Sequence, residues 1–160
     1  METMKGDYSG AGRRFALVVA EFNAPITEEL KKGAVATLLS HGVSEEAIEI
    51  FSVPGAFELP VICKECALTG DYDAVIAIGA VIRGETYHFE VVANQAASGV
   101  MEASLSTGVP VILSVITTDT VEQAWARAGV KGPNLGATGA MSALEMASLI
   151  QKVKQTELCN

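Results

Sequence analysis

His88 lies four residues after Gly84, in a segment whose residue types suit proton transfer beside a bound phosphate. An imidazole has an ordinary pKa of about 6.5, so it can give or take a proton near neutral pH. An apolar run ends just before this segment, and a helical pattern begins within it, with Thr86 predicted as the N-cap. The unpaired N–H groups at a helix start attract anions. The segment is therefore a candidate phosphate site with a proton-transfer group beside it.

Two other interpretations of this segment need to be weighed. Gly79 and Gly84 have the spacing of a P-loop, but Glu85 stands where a P-loop has its phosphate-binding lysine. A carboxylate there would repel the phosphates of a nucleoside triphosphate, so we exclude a triphosphate site. The other interpretation is that His88 is a structural histidine at a helix start. Whether His88 has a structural or a functional role depends on the residues that surround it in the folded chain.

The elements that position this segment alternate between strands and helices. Short continuous apolar runs predict buried strands at residues 14–20, 47–53, 74–82 and 111–117. Helical patterns and end signals predict helices at residues 23–41, 56–69, 87–107, 121–128 and 139–154. This alternation predicts an α/β protein with right-handed crossovers. We expect a three-layer sandwich, flavodoxin-like or Rossmann-like, with a mostly parallel four-stranded sheet flanked by about five helices.

The residues that follow the predicted strands give His88 chemically useful neighbours. In a parallel sheet the carboxyl ends of the strands lie at one edge, which is where such folds bind ligands. The segments at that edge contain the aromatic ring of Phe22, the carboxylate of Glu58, the turn before His88, and the segment that starts at Thr117. Their convergence favours a functional role for His88.

The composition excludes several classes of function. The 160 residues are 49% hydrophobic and carry a formal net charge of −8, which suits one globular domain and argues against general nucleic-acid binding. The longest apolar runs are about ten residues, whereas a membrane helix needs about 20. Residues 1–14 show no signal-peptide pattern. We expect a soluble, cytoplasmic protein with a flexible arm at residues 1–12 and a single domain at residues 13–160.

Cys63 and Cys66 have the spacing of a redox or metal-binding pair. The sequence has no second cysteine pair, and neither His41 nor His88 has zinc-ligand spacing to this one. Both cysteines fall in a predicted helix, where a thiol packs as a small apolar group. We therefore expect packing roles for these cysteines and no metal site.

Four motifs, in order along the chain, together resemble the lumazine synthase family. They are Phe22-Asn23, residues 53–58 (VPGAFE), residues 84–88 (GETYH) and residues 127–129 (RAG). The resemblance covers nearly the whole chain and implies the penultimate step of riboflavin biosynthesis. In that step 5-amino-6-(D-ribitylamino)uracil and 3,4-dihydroxy-2-butanone 4-phosphate condense to 6,7-dimethyl-8-ribityllumazine, with release of phosphate and water. The resemblance implies no cofactor, because the steps are mostly proton transfers.

The resemblance also implies a role for each matching residue. His88 would be the catalytic proton-transfer group. The pyrimidine and its ribityl chain would be held by Phe22, Ala56, Phe57, Glu58, Ala80, Val81, Ile82 and Leu113, with Asn23 and Lys131 as further candidates. The phosphate of the butanone would be held by Glu85, Thr86 and Arg127.

This chain departs from the usual family pattern at three positions. Many members have a lysine where this chain has Leu135, and acidic residues where it has Ala126 and Thr138. These differences bear on the placement of the pyrimidine and on the turnover rate more than on the reaction itself. Lys131 lies nearby in sequence and is a candidate replacement for the missing lysine.

The resemblance further implies a homo-oligomer that binds small-molecule substrates. Members form rings of five in which a neighbouring subunit supplies Arg127 to each site, and some build larger shells from these rings. Riboflavin synthase is a further candidate partner. Two alternatives to an enzyme stay open, namely a non-catalytic flavin- or lumazine-binding protein of this fold and a structural shell protein. The presence of Thr86, His88 and Arg127 favours the enzyme, since storage needs no proton-transfer group.

Overall fold

The structure is a computed structural model, which describes residues 1–157. In chain order its elements are β1 (Phe15–Ala20), α1 (Ala24–Ser40), β2 (Ile48–Val53), α2 (Leu59–Leu68), β3 (Ala74–Ile82), α3 (His88–Thr107), β4 (Val111–Thr118), α4 (Val121–Arg127) and α5 (Leu135–Glu157). Short 3₁₀ turns at Glu45–Ala47 and Ala56–Glu58 precede β2 and α2. Among these described residues, no helix has the length and apolarity that crossing a membrane requires. The alternation confirms the predicted α/β class.

The four strands form one parallel sheet in the order β2-β1-β3-β4. From β1 the chain crosses to β2 on one side, and from β3 it crosses to β4 on the other. The ends of β1 and β3 therefore flank a switch point, where open parallel sheets leave a crevice for ligands. The predicted sheet is confirmed, and every strand pair in it is parallel.

Helices cover both faces of the sheet, which explains the continuous apolar runs in the sequence. On one face α1, α4 and α5 pack around a core that includes Leu17 and Leu144. On the other face α2 and α3 pack around a core that includes Val18 and Val100. Neighbouring residues of β1 thus serve opposite cores, and all six residues of that strand are buried. The three layers are the predicted ones.

The starts of α2 and α3 differ from the prediction. The N-cap of α3 is Tyr87, so the prediction of Thr86 at this position was wrong. The Thr86 hydroxyl instead accepts a long hydrogen bond of 3.4 Å from the His88 N–H group. The α-helix predicted from residue 56 begins at Leu59, because residues 56–58 form a tighter 3₁₀ turn.

Helix α5 begins at Leu135, earlier than the predicted start near residue 139. Gly136, which the predicted helix left out, and Gly139 both lie inside α5. A Cβ atom at Gly136 would lie 1.9 Å from the Leu30 carbonyl oxygen, and one at Gly139 would lie 1.8 Å from Ser114 Oγ. These glycines therefore let α5 approach α1 and β4 closely.

Residues 1–12 form no helix or strand and lie against α5. The Asp7 N–H group donates to Ser148 Oγ at 3.1 Å, and the Asp7 carboxylate pairs with Lys152 at 3.2 Å. The Gly10 N–H group donates to the His41 carbonyl oxygen at 2.8 Å. The flexibility of this arm stays a prediction, and these are the contacts that its movement would break.

Candidate active site

The carboxyl end of the sheet carries an open pocket of about 700 Å³. It lies at the switch point, against the beginnings of α2 and α3. Its lining comes from Phe22, from residues 54–58 after β2, from residues 80–82 at the end of β3, and from Gly84, Thr86 and His88. The structure therefore brings most of the predicted site residues together in one place, while their individual roles stay predictions.

Phe22 and Phe57 form two exposed aromatic surfaces in the pocket lining. They are 72% and 57% exposed. The Phe22 N–H group donates to the Pro54 carbonyl oxygen at 3.1 Å, so the segment after β1 is fixed beside the segment after β2. Aromatic rings presented in this way can stack on a planar heterocycle and would gain burial by doing so.

Asn23 ties the two strands of the switch point together. Its backbone is left-handed, with φ 62°, a conformation that asparagine tolerates better than most residues. Its side chain does not cap α1, since Nδ2 donates to the Ala80 carbonyl oxygen at 2.8 Å. Asn23 therefore fixes the end of β1 against β3, next to Phe22. It does not line the pocket, and a direct role in binding stays a prediction.

The start of α3 is the part of the pocket lining that best suits an anion. The first N–H groups of a helix lack intrahelical partners, and the helix dipole adds a partial positive charge there. Thr86 contributes a hydroxyl group to the lining beside this helix start, whereas Glu85, between the lining residues Gly84 and Thr86, does not line the pocket. Within the described residues no lysine or arginine lines the pocket. A phosphate bound here would therefore depend on the helix start unless a cation arrives from elsewhere.

His88 is the first residue of α3, and its exposed side chain lines the pocket. In residues 1–157 no side chain or backbone group forms a hydrogen bond or ion pair with its imidazole. Glu58 contributes a carboxylate to the same lining. The imidazole is thus available for hydrogen bonds with a molecule in the pocket.

Arg83, which directly follows β3, is held on several sides at once. Its Nε atom donates to Asp119 Oδ1 at 2.7 Å and its Nη1 atom donates to Glu90 Oε1 at 2.5 Å. The guanidinium also lies over the Phe89 ring, 4.5 Å from the ring centre. The hydrogen bond from Arg83 holds the pKa of the Glu90 carboxyl below its ordinary value. This arginine is already engaged and does not line the pocket.

Three predicted site residues lie away from the pocket of their own chain. Arg127 ends α4 with its Nη1 atom 3.3 Å from the Gln123 carbonyl oxygen, and Lys131 follows in an exposed loop. Leu113 is exposed on the edge strand β4 and pairs in register with Ala77, well before the end of β3. Their exposure leaves all three accessible to a neighbouring molecule.

Asn134 fixes the end of α4, which carries Arg127. Its Nδ2 atom donates to the carbonyl oxygens of Glu29 at 2.9 Å and Ala128 at 3.1 Å. Its Oδ1 atom accepts the Ala137 N–H group at 3.0 Å, which caps the first turn of α5. One side chain thus joins α1, α4 and α5, and the loop that contains Lys131 is held at both ends.

Three lining residues fall outside both the four motifs and the assigned site residues of the sequence analysis. They are Phe89, Val91 and Val92, all in the first turns of α3. Phe89 and Val92 belong to the apolar stripe that predicted the helix, and a stripe of this kind suggests core packing. Val91 lies three residues after His88, so helical spacing from His88 would have identified it.

The cysteine pair lies in α2, away from the lining residues. Both side chains are buried, and burial raises the pKa of the Cys63 thiol well above its ordinary value. A thiol held in this neutral form is unreactive. Among the described residues no three histidine, cysteine or acidic side chains cluster as a metal site would require.

The fold and the pocket define an α/β protein that has a small-molecule site at the switch point of its sheet. Residues 12–151 match the family model described as 6,7-dimethyl-8-ribityllumazine synthase. The chain belongs to this family.

Curated relatives that bear the same name cover nearly the whole chain. The protein of Salinibacter ruber is 51% identical over 151 residues, which are 94% of this chain and 97% of the relative. The protein of Chlorobium chlorochromatii is 48% identical over 153 residues, or 96% of this chain and 99% of the relative. The protein of Kosmotoga olearia is 48% identical over 154 residues, with the same two shares. The resemblance drawn from the four motifs is thereby confirmed.

Proposed function

We propose that this protein condenses 5-amino-6-(D-ribitylamino)uracil with 3,4-dihydroxy-2-butanone 4-phosphate to give 6,7-dimethyl-8-ribityllumazine. The observation that carries the proposal is one pocket in which two exposed aromatic rings lie with a helix start and a free histidine. The rings suit a heterocycle, the helix start suits a phosphate, and the histidine suits proton transfer between them. Near full-length similarity to proteins of this name supports the same reaction.

The pyrimidine and its ribityl chain occupy the part of the pocket between β1, β2 and β3. Phe22 stacks on the heterocycle, and the backbone of residues 80–82 follows its edge. Ala56, Phe57 and Glu58 hold the ribityl chain, whose hydroxyl groups can donate to the Glu58 carboxylate. The support for this placement is that these residues line the pocket together.

The phosphate of the second substrate lies at the start of α3. The Thr86 hydroxyl donates to it, and the positive end of the α3 dipole adds a favourable field. A neighbouring subunit adds the guanidinium of Arg127, which can bind two phosphate oxygens at once. In support, Arg127 is exposed, and among residues 1–157 no lysine or arginine lines the pocket. Leu113 and Lys131 reach the heterocycle from the same neighbour.

His88 moves protons during the condensation. The amine of the pyrimidine attacks the ketone and loses one water to give an imine. Loss of a proton from carbon then expels the phosphate, and ring closure releases a second water. A base and an acid are needed in turn, and an imidazole can serve as both near neutral pH. The free imidazole beside the helix start supports this assignment.

A site that needs a neighbour's residues requires an oligomer. A closed ring uses a head-to-tail contact, so one face of each subunit supplies His88 and the other supplies Arg127. We propose a ring of five, which can assemble into larger shells, in the cytoplasm. Riboflavin synthase is a candidate partner because it would consume the product. A passive flavin-binding or shell protein has no use for a proton-transfer group, so His88 favours the enzyme over these alternatives.

The direct test mixes the purified full-length protein with both substrates and follows the absorbance and fluorescence of the lumazine. A protein-free mixture gives the uncatalysed rate, since part of this reaction proceeds once the substrates meet. A second mixture contains the same butanone without its phosphate. We expect product formation well above the protein-free rate, with the phosphorylated substrate only. A rate equal to that of the protein-free mixture would refute the proposed function.

A further inference from the structure

The segment between β3 and α3 is connected to the rest of the molecule through Arg83. Its backbone N–H group donates to the Thr118 carbonyl oxygen at 2.8 Å, which continues the pairing of β3 with β4. Its side chain bridges Glu90 in the first turn of α3 and Asp119 just before α4. One residue thus connects the end of β3, the start of α3 and the start of α4.

The geometry of these contacts needs a guanidinium group. Its planar fork donates from separate nitrogens in fixed directions, whereas a lysine ammonium is a compact point charge. Two of these directions are occupied by Asp119 and Glu90, while the guanidinium carbon lies over the Phe89 ring, 4.5 Å from its centre. Phe89 and Glu90 directly follow His88. The guanidinium therefore contacts the first turn of α3, which carries the imidazole.

The charges argue against a direct role for Arg83 in phosphate binding. Arg83 already has two carboxylate partners and is absent from the pocket lining. A phosphate would have to compete with Glu90 and Asp119 for the same nitrogens. The arginine is therefore placed to hold the turn, and the open start of α3 is left for the anion.

We propose that Arg83 is a positioning residue, which through Glu90, Asp119 and Phe89 holds the first turn of α3 so that His88 faces the bound substrates. This inference rests on the proposed function and adds a residue to it. A misplacement of about 1 Å can cost about a hundredfold in rate. Loss of the Arg83 contacts should therefore lower kcat more than it raises KM.

The principal test compares Arg83→Ala with Arg14→Ala in the full-length protein. Arg14 is a matched control, because it also adjoins a strand, pairs with a carboxylate at 2.5 Å and has a side chain exposed to 45%, against 46% for Arg83. It lies at the opposite end of the sheet. We expect kcat to fall about ten- to a hundredfold in Arg83→Ala, with a smaller rise in KM for the phosphorylated substrate, because the same turn holds the phosphate. We expect Arg14→Ala to keep kcat within about twofold of the wild type.

The division between kcat and KM distinguishes positioning from binding. A rise in KM for the butanone phosphate with unchanged kcat would mean that Arg83 binds the phosphate directly, which would overturn the proposal. Arg83→Lys keeps the charge but not the fork, so its kcat should lie between those of Arg83→Ala and the wild type. A lysine variant as active as the wild type would also overturn the proposal, since charge alone would then suffice.

A double-mutant cycle tests whether Arg83 acts through its partner. If it does, Glu90→Gln alone should lower kcat, and adding it to Arg83→Ala should cost less than the two separate effects combined. Fully additive effects would contradict action through Glu90. Thermal unfolding of each variant identifies any loss of activity that comes from a loss of fold.

Hydrogen exchange tests whether Arg83 stabilises the first turn of α3, without relying on the reaction. In Arg83→Ala, the backbone amides of residues 84–90 should exchange faster than in the wild type, whereas those of β2 should not change. In Arg14→Ala, residues 84–90 should exchange at the wild-type rate. If the wild type forms no lumazine, the proposed function fails while this measurement still decides the role of Arg83. Unchanged exchange of residues 84–90 in Arg83→Ala would overturn the inference even in an active enzyme.

Discussion

The two ends of the parallel sheet differ in whether their polar side chains have partners within the chain. At the amino end Arg14 and the Tyr72 hydroxyl each donate to an oxygen of Glu49 at 2.5 Å, and Asp73 accepts the Arg14 N–H group at 2.8 Å. At the carboxyl end the His88 imidazole has no partner among residues 1–157. The polar groups of the amino end satisfy one another, whereas the carboxyl end keeps a free group in an open pocket.

This difference shows that charged pairs alone do not mark a functional site. Both ends have an arginine bound to carboxylate groups, namely Arg14 at the amino end and Arg83 at the carboxyl end. What differs is the segment that each arginine holds. Arg83 holds a turn that carries a free imidazole, while Arg14 joins two strand starts. Polar groups that could pair within the fold but stay open in a pocket are the ones to examine for chemistry.

The largest effect should come from His88→Ala. Loss of a general acid or base usually costs about 10²- to 10⁴-fold in turnover, and we expect the lower end because part of the reaction proceeds uncatalysed. His41→Ala is the matched control. His41 follows α1 with Nδ1 2.8 Å from the Thr37 carbonyl oxygen, and it does not line the pocket. Equal turnover of a folded His88→Ala variant and the wild type would remove His88 from the mechanism.

A smaller and more selective effect should come from Arg127→Ala. A hydrogen bond to a charged group is worth roughly 1.5–3 kcal/mol, so KM for the butanone phosphate should rise about ten- to a hundredfold. KM for the pyrimidine should change much less. Lys131→Ala is a useful comparison, since that lysine is exposed in the loop just after α4 and is expected at the heterocycle. Equal shifts in both KM values for Arg127→Ala would contradict phosphate binding by this arginine.

Mixing the two impaired variants, assayed with the butanone phosphate well below the KM of Arg127→Ala, tests whether the carboxyl end is completed by a neighbour. His88→Ala and Arg127→Ala are denatured together in equal amounts and refolded. Random mixing in a closed ring leaves about a quarter of the interfaces with both native residues, so activity should return to about that fraction of the wild type. Each variant refolded alone is the control. If both residues served a site within one chain, mixing would restore nothing.

The fold could be predicted where the burial of an element produces a recognisable pattern of apolar residues. The bounds of β3, Ala74–Ile82, were predicted correctly because a strand covered on both faces is apolar throughout. The start of α5 was placed too late, after Gly136, although Gly136 and Gly139 both lie inside the helix. Their role depends on Leu30 and Ser114, which are distant in sequence. Close packing between distant elements cannot be recognised from neighbours along the chain.

The location of the candidate site could be predicted from the sequence, but the contacts that position its residues could not. Strand ends and motifs placed Phe22, Glu58 and His88 on one edge, and the structure brings all three into the pocket lining. The prediction of Thr86 as the N-cap failed because a helix start depends on one residue's backbone angles. The hydrogen bond from Arg83 to Asp119 was not predictable either, because it joins two loops whose residues are 36 positions apart in the sequence.

The smallest effect on activity should come from Tyr72→Phe at the amino end, although this change costs stability. The variant loses the hydrogen bond to Glu49, which is worth about 1 kcal/mol at a partly exposed carboxylate. In a chain of this size that should lower Tm by about 2–4 °C, measured at one protein concentration because the protein is expected to be oligomeric. Turnover should stay within about twofold of the wild type. A tenfold loss of turnover would mean that the two ends of the sheet are coupled.

The pH dependence of this stability gives a sharper test of the closed amino end. Burial, helped by the hydrogen bond to Glu49, raises the pKa of Tyr72 to about 12, whereas an unfolded tyrosine has a pKa of about 10. The folded protein therefore keeps this proton between the two values, and unfolding releases it. The stabilisation is complete below about pH 10 and is lost as the pH rises towards about 12. The Tm difference between the wild type and Tyr72→Phe should accordingly narrow over this range. Tyr8 remains in both proteins, so its own raised pKa cancels in the comparison. A constant difference from pH 8 to pH 12 would show that Tyr72 does not titrate as part of a closed network.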